Sequence, residues 1–580
     1  MKKSIRLLSL VLSLGMLIGC SANPSGDSEQ QTSKPGDSQQ SQQSQQGTSQ
    51  GGNSKSSSQA GKSSSYAGTS IPETAGEFTF DETALSIPQE IHTADQKKYL
   101  NLDKQYYHIT ADDLTSCNAM GNSNKSAPNK VTVSWNFGVP NGKTLSKYQL
   151  VYGQKSDLSD GLTVEGTTAK SVSFYNPYLG DNYFKVVANF SDGSKQESAI
   201  KTFKVDGQAP RNLYAGNMPN VRDTGGRTTY AGGKIKQGLI YRGAGNKFDN
   251  RSGIDSECQS ILKNVLKIKT EINVANKDSN NLNLSGVQLK NCYMNYGATP
   301  YSNLARNAEK IRQVMDVLAD ESNYPVFYHC RIGTDRTGIT GMMINGLLGI
   351  PFNEVFQDYC FSNFAPIDGQ RYPNKPSDPN GDDPAKYIDE ILAMPGATYQ
   401  EQTYNALLSI GCKAETLNKI IDFMTEGNKA DLSIKGAVAT GDSITSDGTK
   451  KTATDYKNPA TYYQCGSGKK ASMTATFTAG QKDVVVYLGS TDSSNSTKLS
   501  DRIALKIDGS EKTLANTKTL YTAGFGTTDA SQGDSRTGYM FNILGKYELS
   551  AGSHTIEVSV KSGTFNIGTI AVFDHVTPNK

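Results

Sequence analysis

The pattern of apolar and polar positions changes several times along the 580-residue chain, and each change marks a candidate boundary. An apolar run from Leu7 to Ile18 follows Lys2, Lys3 and Arg6. It is too short to cross a bilayer and has the charge-then-apolar order of an export signal. Residues 21–70 are mostly Ser, Gln and Gly with no Leu, Val, Phe or Met, so they cannot bury enough surface to offset ordering entropy. They predict a flexible tether with a span of roughly 40 Å. From 71 to 110 there are strand-like pieces such as EFTFDETALSI. Between 128 and 205 come short runs rich in β-branched and aromatic residues (VTVSWNF, KYQLVYG, KSVSFY, NYFKVVANF, AIKTFKV) separated by Gly, Asn and Asp, which predict a small β-sandwich.

The period changes again at 207. Strand candidates GLIYR, KIKTEINVA, GVQLKNCYM and PVFYHC alternate with helical segments, the best being SNLARNAEKIRQVMDVLADES, where Leu304, Ala308, Ile311, Met315 and Leu318 recur at helical spacing. Strand-helix alternation predicts an α/β domain around a largely parallel sheet. After about 435, segments such as the β-branched KDVVVYLGS and the alternating HTIEVSVKSG predict a second β-sandwich. The expected architecture is multidomain: signal 1–19, tether 20–70, leader plus sandwich 71–206, α/β domain 207–432 and C-terminal sandwich 433–580.

Composition fits this division. Apolar residues, with Gly counted and Tyr left out, make up about 41% of the chain, below the usual ~45–50%, and the tether accounts for the dilution. The net charge of +3 is too mild for a nucleic-acid partner, which usually requires a concentrated basic face. The eight cysteines are scattered over separate segments and give no compact disulfide framework, so mostly free thiols are expected.

The candidate chemistry lies in one stretch. His329 is the single histidine of 207–430, which excludes a histidine-rich metal site there. It precedes Cys330 in Y-P-V-F-Y-H-C-R-I-G-T-D-R-T-G, an apolar strand running into a loop and then a helical segment. A loop between a strand end and a helix N-terminus aims backbone N–H groups at one point and cradles a dianion. Arg336 adds paired donors for phosphate oxygens. The same field stabilises a Cys330 thiolate, with His329 orienting the loop and Thr337 donating to the sulfur as it leaves.

HCRIGTDRTG resembles the signature loop of the protein-tyrosine-phosphatase superfamily: His-Cys, five residues, Arg, then Ser or Thr. The block N-V-R-D-T-G-G (Asn220 to Gly226) followed by G-L-I-Y-R-G, and the later GIPFNEVFQDYCFSN and TYNALLSIGCKAETLNKIIDFM, are similar to bacterial secreted tyrosine and lipid phosphatases over about 210–425. The resemblance implies Cys330 as nucleophile, Arg336 and the loop positions Arg331, Ile332, Gly333, Thr334 and Thr337 as phosphate binders, and Asp335 as general acid, with no cofactor or metal. Asp335 as a mere loop brace stays open, with Asp368 as the reserve acid. His329, Arg222, Asp223 and Arg242 read as loop supports. Arg331 either meets an anionic substrate or packs outward. The proline-rich APIDGQRYPNKPSDPNGDDP is either a lid or an inert insertion.

Two departures bear on substrate. Thr334 stands where that subfamily usually has lysine, and Asn273-Val274-Ala275 replaces an expected Asp-Leu-Arg. A phosphomonoesterase acting on phosphotyrosine or dual-specificity protein substrates is therefore expected, with phosphoinositide or polyol phosphate as the alternative. An inactive surface glycan-binding protein and a rhodanese-like sulfur transferase are the rival readings.

Three further resemblances complete the picture. Leu17-Ile18-Gly19-Cys20 resembles the bacterial lipobox, which implies lipidation of Cys20 and a membrane-anchored extracytoplasmic location. The first sandwich resembles a fibronectin type III domain, with Trp135 in its core and Tyr183 near a strand corner. The closing strands of the second resemble jelly-roll carbohydrate-binding modules, in which Tyr462, Tyr463, Tyr521 or Tyr539 would stack on a glycan. Calcium is common in such modules, but no residues here fix a site.

Overall fold

The structure is a computed structural model that describes residues 74–248, 253–275, 278–294, 307–373, 390–452, 461–490, 497–515 and 538–577. The export signal, the lipidation candidate Cys20 and the tether lie outside the described residues. No described helix is long and apolar enough to cross a membrane.

In the leader, EFTFDETALSI gives strand only at Phe78–Thr79. Asp81 then accepts from the Ala84 amide and starts a helix, Glu82–Ser86, an N-cap that overrides the strand-like alternation. Two more short helices, Ala94–Leu100 and Ala111–Ser116, begin with capping boxes at Thr93 and Thr110. In the following β-region, Leu162–Glu165, Leu145–Gly153, Gly180–Phe190 and Lys195–Glu197 form an antiparallel sheet, with Lys201–Val205 also pairing on Gly180–Phe190. Val131–Ser134 pairs with Ser171–Phe174. Trp135 is buried, edge-on to Tyr148. Tyr183 is half-buried within a strand, and the adjacent turn is held by buried Asn182, which bonds the backbone of Tyr178 and Gly180.

The next sheet has six strands in the order Arg211–Asn212, Arg222–Asp223, Ile240–Gly243, Val326–His329, Thr270–Asn273 and Gln288–Asn291. The first two pairings are antiparallel and the other three parallel. Val326–His329 is buried along its whole length, as expected for a strand covered on both faces. Its register sets His329 beside Gly243 on one side and Asn273 on the other. The parallel strands therefore end together, and their following loops share one edge, the usual place for an α/β binding site. The helix within SNLARNAEKIRQVMDVLADES spans Ala308–Leu318, and Leu304 lies outside the described residues.

The C-terminal region is two antiparallel sheets. One carries Thr449–Thr452, Thr461–Gly466, Thr564–Asp574, Gly480–Ser490 and Gly538–Leu549, with Gly436–Thr440 on Thr564–Asp574. The other carries Thr445–Ser446, Lys470–Phe477, Gly552–Val560, Ile503–Ile507 and Ser510–Lys512. Of the four tyrosines considered for sugar stacking, Tyr463 belongs to the core between the sheets and Tyr462 is half-buried. Tyr521 and the Tyr539 side chain fall outside the described part.

The largest core joins three regions. Tyr99, Leu114 and Cys117 of the leader, the helices of the α/β domain, and Val485, Tyr487, Ala571 and Phe573 of the C-terminal sandwich form one continuous apolar cluster. The seven described cysteines are all buried free thiols.

Candidate active site

Cys330 follows the buried strand directly, and the helix Asp335–Leu347 starts five residues later. Between them, successive backbone carbonyls are bound from outside the loop. His329 Nδ1 donates to the Cys330 carbonyl (3.1 Å) and the Gly245 amide to that of Arg331 (3.0 Å). Asn220 Nδ2 donates to Ile332 and Gly333 (3.2 and 3.1 Å), and Arg242 Nη2 also donates to Gly333 (2.9 Å). A trans peptide sets its N–H opposite its C=O, so carbonyls held outward turn the following amides into the hollow beside Cys330, making an anion nest.

Glycine is required twice. Gly333 has φ of 73°, and a Cβ there would lie 2.5 Å from the Gly243 carbonyl. A Cβ on Gly245 would lie 2.4 Å from the Cys330 carbonyl. Both approaches are closer than any side chain permits.

The Cys330 thiol is buried. Burial opposes its ionisation, but the Arg336 charge, with the Thr337 hydroxyl and backbone N–H beside it, outweighs that effect and the repulsion of Asp335. The thiol is thereby held below its ordinary range.

Asp335, first residue of the helix, accepts from Arg371 Nε (3.1 Å) and Tyr359 OH (3.4 Å). Arg331 is partly exposed and pairs with Asp368 (2.7 Å). Thus the segment 365–371 crosses the loop with two ion pairs of opposite sense, and Ile332 packs on Ala365 and Ile367 between them. This is the first part of the proline-rich stretch. Residues 374–389, which include its remainder, are outside the described residues.

Behind the loop, Asp358 takes Arg222 Nε (2.9 Å), Arg227 Nη2 (3.1 Å) and Arg242 Nη1 (2.7 Å). Although burial works against its charge, the three guanidiniums hold this carboxyl far below the usual carboxylate range. Burial and the neighbouring Arg242 pull Arg222 down to about 10, while Asp358 opposes them. Arg222 also donates to Asn220 Oδ1 (2.5 Å), which fixes the Asn220 amide with its NH2 toward the loop carbonyls.

Arg222 thus supports the loop through Asn220, and Arg242 supports it directly. Asp223 does not reach the loop: it pairs with Arg211 (2.8 Å) and accepts from the Gly225 and Gly238 amides. Neighbouring residues of one strand point to opposite faces, so Asp223 cannot share the role of Arg222. Thr334 is fully buried, with its hydroxyl 3.3 Å from Asn220 Nδ2.

Sequence reasoning missed Asn220 as the carbonyl clamp, Asp358 as the arginine hub, Arg371 as the partner of Asp335, and Glu271, whose carboxylate lies 2.9 Å from His329 Nε2. The available signals were charged residues inside otherwise apolar runs: Glu271 in KIKTEINVA and Asp358 in VFQDYCF. Among the described residues no cluster suited to a metal ion occurs.

A model of the tyrosine phosphatase family matches residues 214–427, so this chain carries a tyrosine phosphatase family domain. No curated protein matches the chain. Among solved structures, the core catalytic domain of the PP-IP phosphatase Siw14 from S. cerevisiae, in complex with citrate, is 22% identical over 22% of this chain and 72% of that one, with a TM-score of 0.18. A family 35 carbohydrate-binding module from Clostridium thermocellum is 19% identical over 24% of this chain and 98% of that one, TM-score 0.18. The GH26-CBM35 β-(1,4)-mannanase of Podospora anserina is 14% identical over 25% of this chain and 29% of its own length, TM-score 0.18. The chain as a whole is a β-rich multidomain protein that includes a phosphatase domain.

Proposed function

We propose that this protein is a cysteine-dependent phosphomonoesterase of the cell surface, anchored through lipidated Cys20, with phosphotyrosine or dual-specificity protein substrates. The observation that carries the reading is the set of outward-tied carbonyls around a buried thiol held below its ordinary range. The Cys330 thiolate attacks phosphorus and the bond to the leaving oxygen breaks, giving a cysteinyl phosphate. Asp335 donates its proton to that oxygen and then accepts one from the water that hydrolyses the intermediate. Arg336 and the amides of Arg331 to Thr334 carry the equatorial oxygens as charge redistributes, and Thr337 supports the departing sulfur.

A free thiol near 8.5 is about 3% ionised at neutral pH. Lowering its pKa therefore gains about thirtyfold in nucleophile at most, and positioning with charge stabilisation supplies the rest. The pairing of Arg331 with Asp368 and the presence of Thr334 instead of lysine leave the mouth without a free cation from these positions for a second phosphate. This favours a monophosphorylated protein side chain over a phosphoinositide. For the C-terminal sandwich we retain glycan attachment as its role, on the strength of its two antiparallel sheets and its jelly-roll-like closing strands.

The test is hydrolysis of an aryl phosphate by the full chain and by Cys330→Ser. The variant should lose at least ~10³-fold in kcat, and equal turnover would refute the enzyme reading. In the same assay Asp335→Asn should slow a poor leaving group far more than a good one. Equal slowing of both would assign Asp335 a bracing role instead.

A further inference from the structure

The geometry points to Glu271 as a positioning residue that fixes the His329 ring so that Nδ1–H stays on the Cys330 carbonyl and the thiolate cradle keeps its shape. This inference rests on the reading of Cys330 as the nucleophile. Glu271 lies on the strand Thr270–Asn273, parallel to the strand that ends at His329, and both side chains are buried. His329 Nε2 lies 2.9 Å from Glu271 Oε1, and Nδ1 lies 3.1 Å from the Cys330 carbonyl. The Leu282 amide donates to the same carboxylate oxygen (2.9 Å), which pins Glu271 in turn.

The tautomer argument is simple. A carbonyl oxygen can only accept, so the hydrogen bond to Cys330 exists only while Nδ1 carries a proton. An imidazole with nothing at Nε2 can instead place its proton there and turn a bare Nδ1 toward the carbonyl, where two lone pairs repel. The Glu271 carboxyl and the Cys330 carbonyl both present oxygen acceptors, so the two contacts are satisfied together only when the pair holds a second proton between Nε2 and Oε1; with that proton on the pair, Nδ1–H stays on the carbonyl. The carbonyl in turn sets the plane of the peptide between Cys330 and Arg331, whose N–H faces the hollow. Orientation of a buried imidazole by an outer carboxylate also serves metal-ligand histidines, although there the second nitrogen is bare. Here it would serve the peptide next to a nucleophile.

The charged and titratable groups facing this assembly are few. Arg336 and Asp335 face Cys330 from the helix, with the Thr337 hydroxyl beside them. Tyr293 also feels Glu271: it is pushed above its ordinary range by burial, by its hydrogen bond to Asp278 and by the carboxylates of Asp278 and Glu271.

The experiment compares Glu271→Leu with Glu271→Gln in the full chain by the pH dependence of Cys330 alkylation with iodoacetamide. This readout needs no turnover, so it stands or fails separately from the phosphatase assay. Glu271→Leu should raise the alkylation midpoint by about one pH unit. Glu271→Gln, whose amide can donate to a bare Nε2 and so keep Nδ1–H, should restore at least half of that shift. An unchanged midpoint in folded Glu271→Leu would overturn the proposal, and so would equal shifts in the two variants. Should Glu271→Leu fail to fold, the 15N spectrum of histidine-labelled wild type decides. The resonance pair that disappears in His329→Asn should show a protonated Nδ1, and a bare Nδ1 overturns the assignment.

Discussion

Asp358 is the residue on which most of the loop's support converges. Its carboxylate meets three guanidiniums in a site with almost no solvent, and breaking one side of such a buried arrangement typically costs about 3–5 kcal/mol. Asp358→Asn should cost stability on that order, read by denaturant unfolding, and lower kcat because Arg222 and Arg242 lose the anchor that aims them. The pH dependence has a definite sign. A carboxyl held below its unfolded value contributes stability that is fully present above that value, near 4, and is lost as pH falls through the depressed folded one. The wild type should therefore lose stability as pH drops below about 4, and Asp358→Asn should show a flatter acid limb. The same slope in both would place the acid sensitivity elsewhere. At this scale the sequence was most legible where chemistry demands one residue type. His329, Cys330, Gly333 and Arg336 stand out in the sequence because their order marks a strand end, a tight loop and a helix start, and the structure has that order. Asn220, Glu271 and Arg371 are ordinary polar residues made important by what the fold brings to them, and no local spacing reveals that.

The leader helices and the segment 365–371 act together as elements. Gly121 accepts from the Ile367 and Gly369 amides and donates to the Asn363 carbonyl. Gln370 Nε2 donates to the Ala119 carbonyl (3.1 Å) and the Thr115 hydroxyl (3.2 Å). Ser126 takes the Asn220 amide (2.9 Å). Residues 115–126, within the span 71–206 assigned to the leader and sandwich, thus back the segment that holds Asp335. The leader's pattern was uninformative because helices of five to seven residues show too little period to register, and side-chain caps at Asp81, Thr93 and Thr110 fix their starts. Gln370→Ala should cost about 1–2 kcal/mol in urea unfolding and also lower turnover of substrates with poor leaving groups. A stability loss with unchanged turnover would show that Asp335 does not depend on the leader. The helix Asp335–Leu347 differs: it is buried on every side, so its apolar run is readable but its facing is not.

Across the whole molecule, the sequence pattern located the two β-regions but not the shared core that joins the terminal one to the phosphatase domain. Val485, Tyr487, Ala571 and Phe573 belong to runs that are apolar at every position, Val484–Leu488 and Ile570–Phe573, and they share one buried cluster with helices of the phosphatase domain. Alternation along a strand separates two faces without saying what each meets. Tyr487→Ala should remove about 3–5 kcal/mol, and in scanning calorimetry the phosphatase domain and C-terminal sandwich should shift down together as one transition. Two peaks, with only the sandwich peak moved, would show that the shared core does not couple them. The continuity also bears on aim. The terminal sandwich and the loop at Cys330 keep one bearing to each other, like a tool set in a vice, so the direction from which a phosphorylated substrate can arrive is fixed by the fold and not by chance rotation.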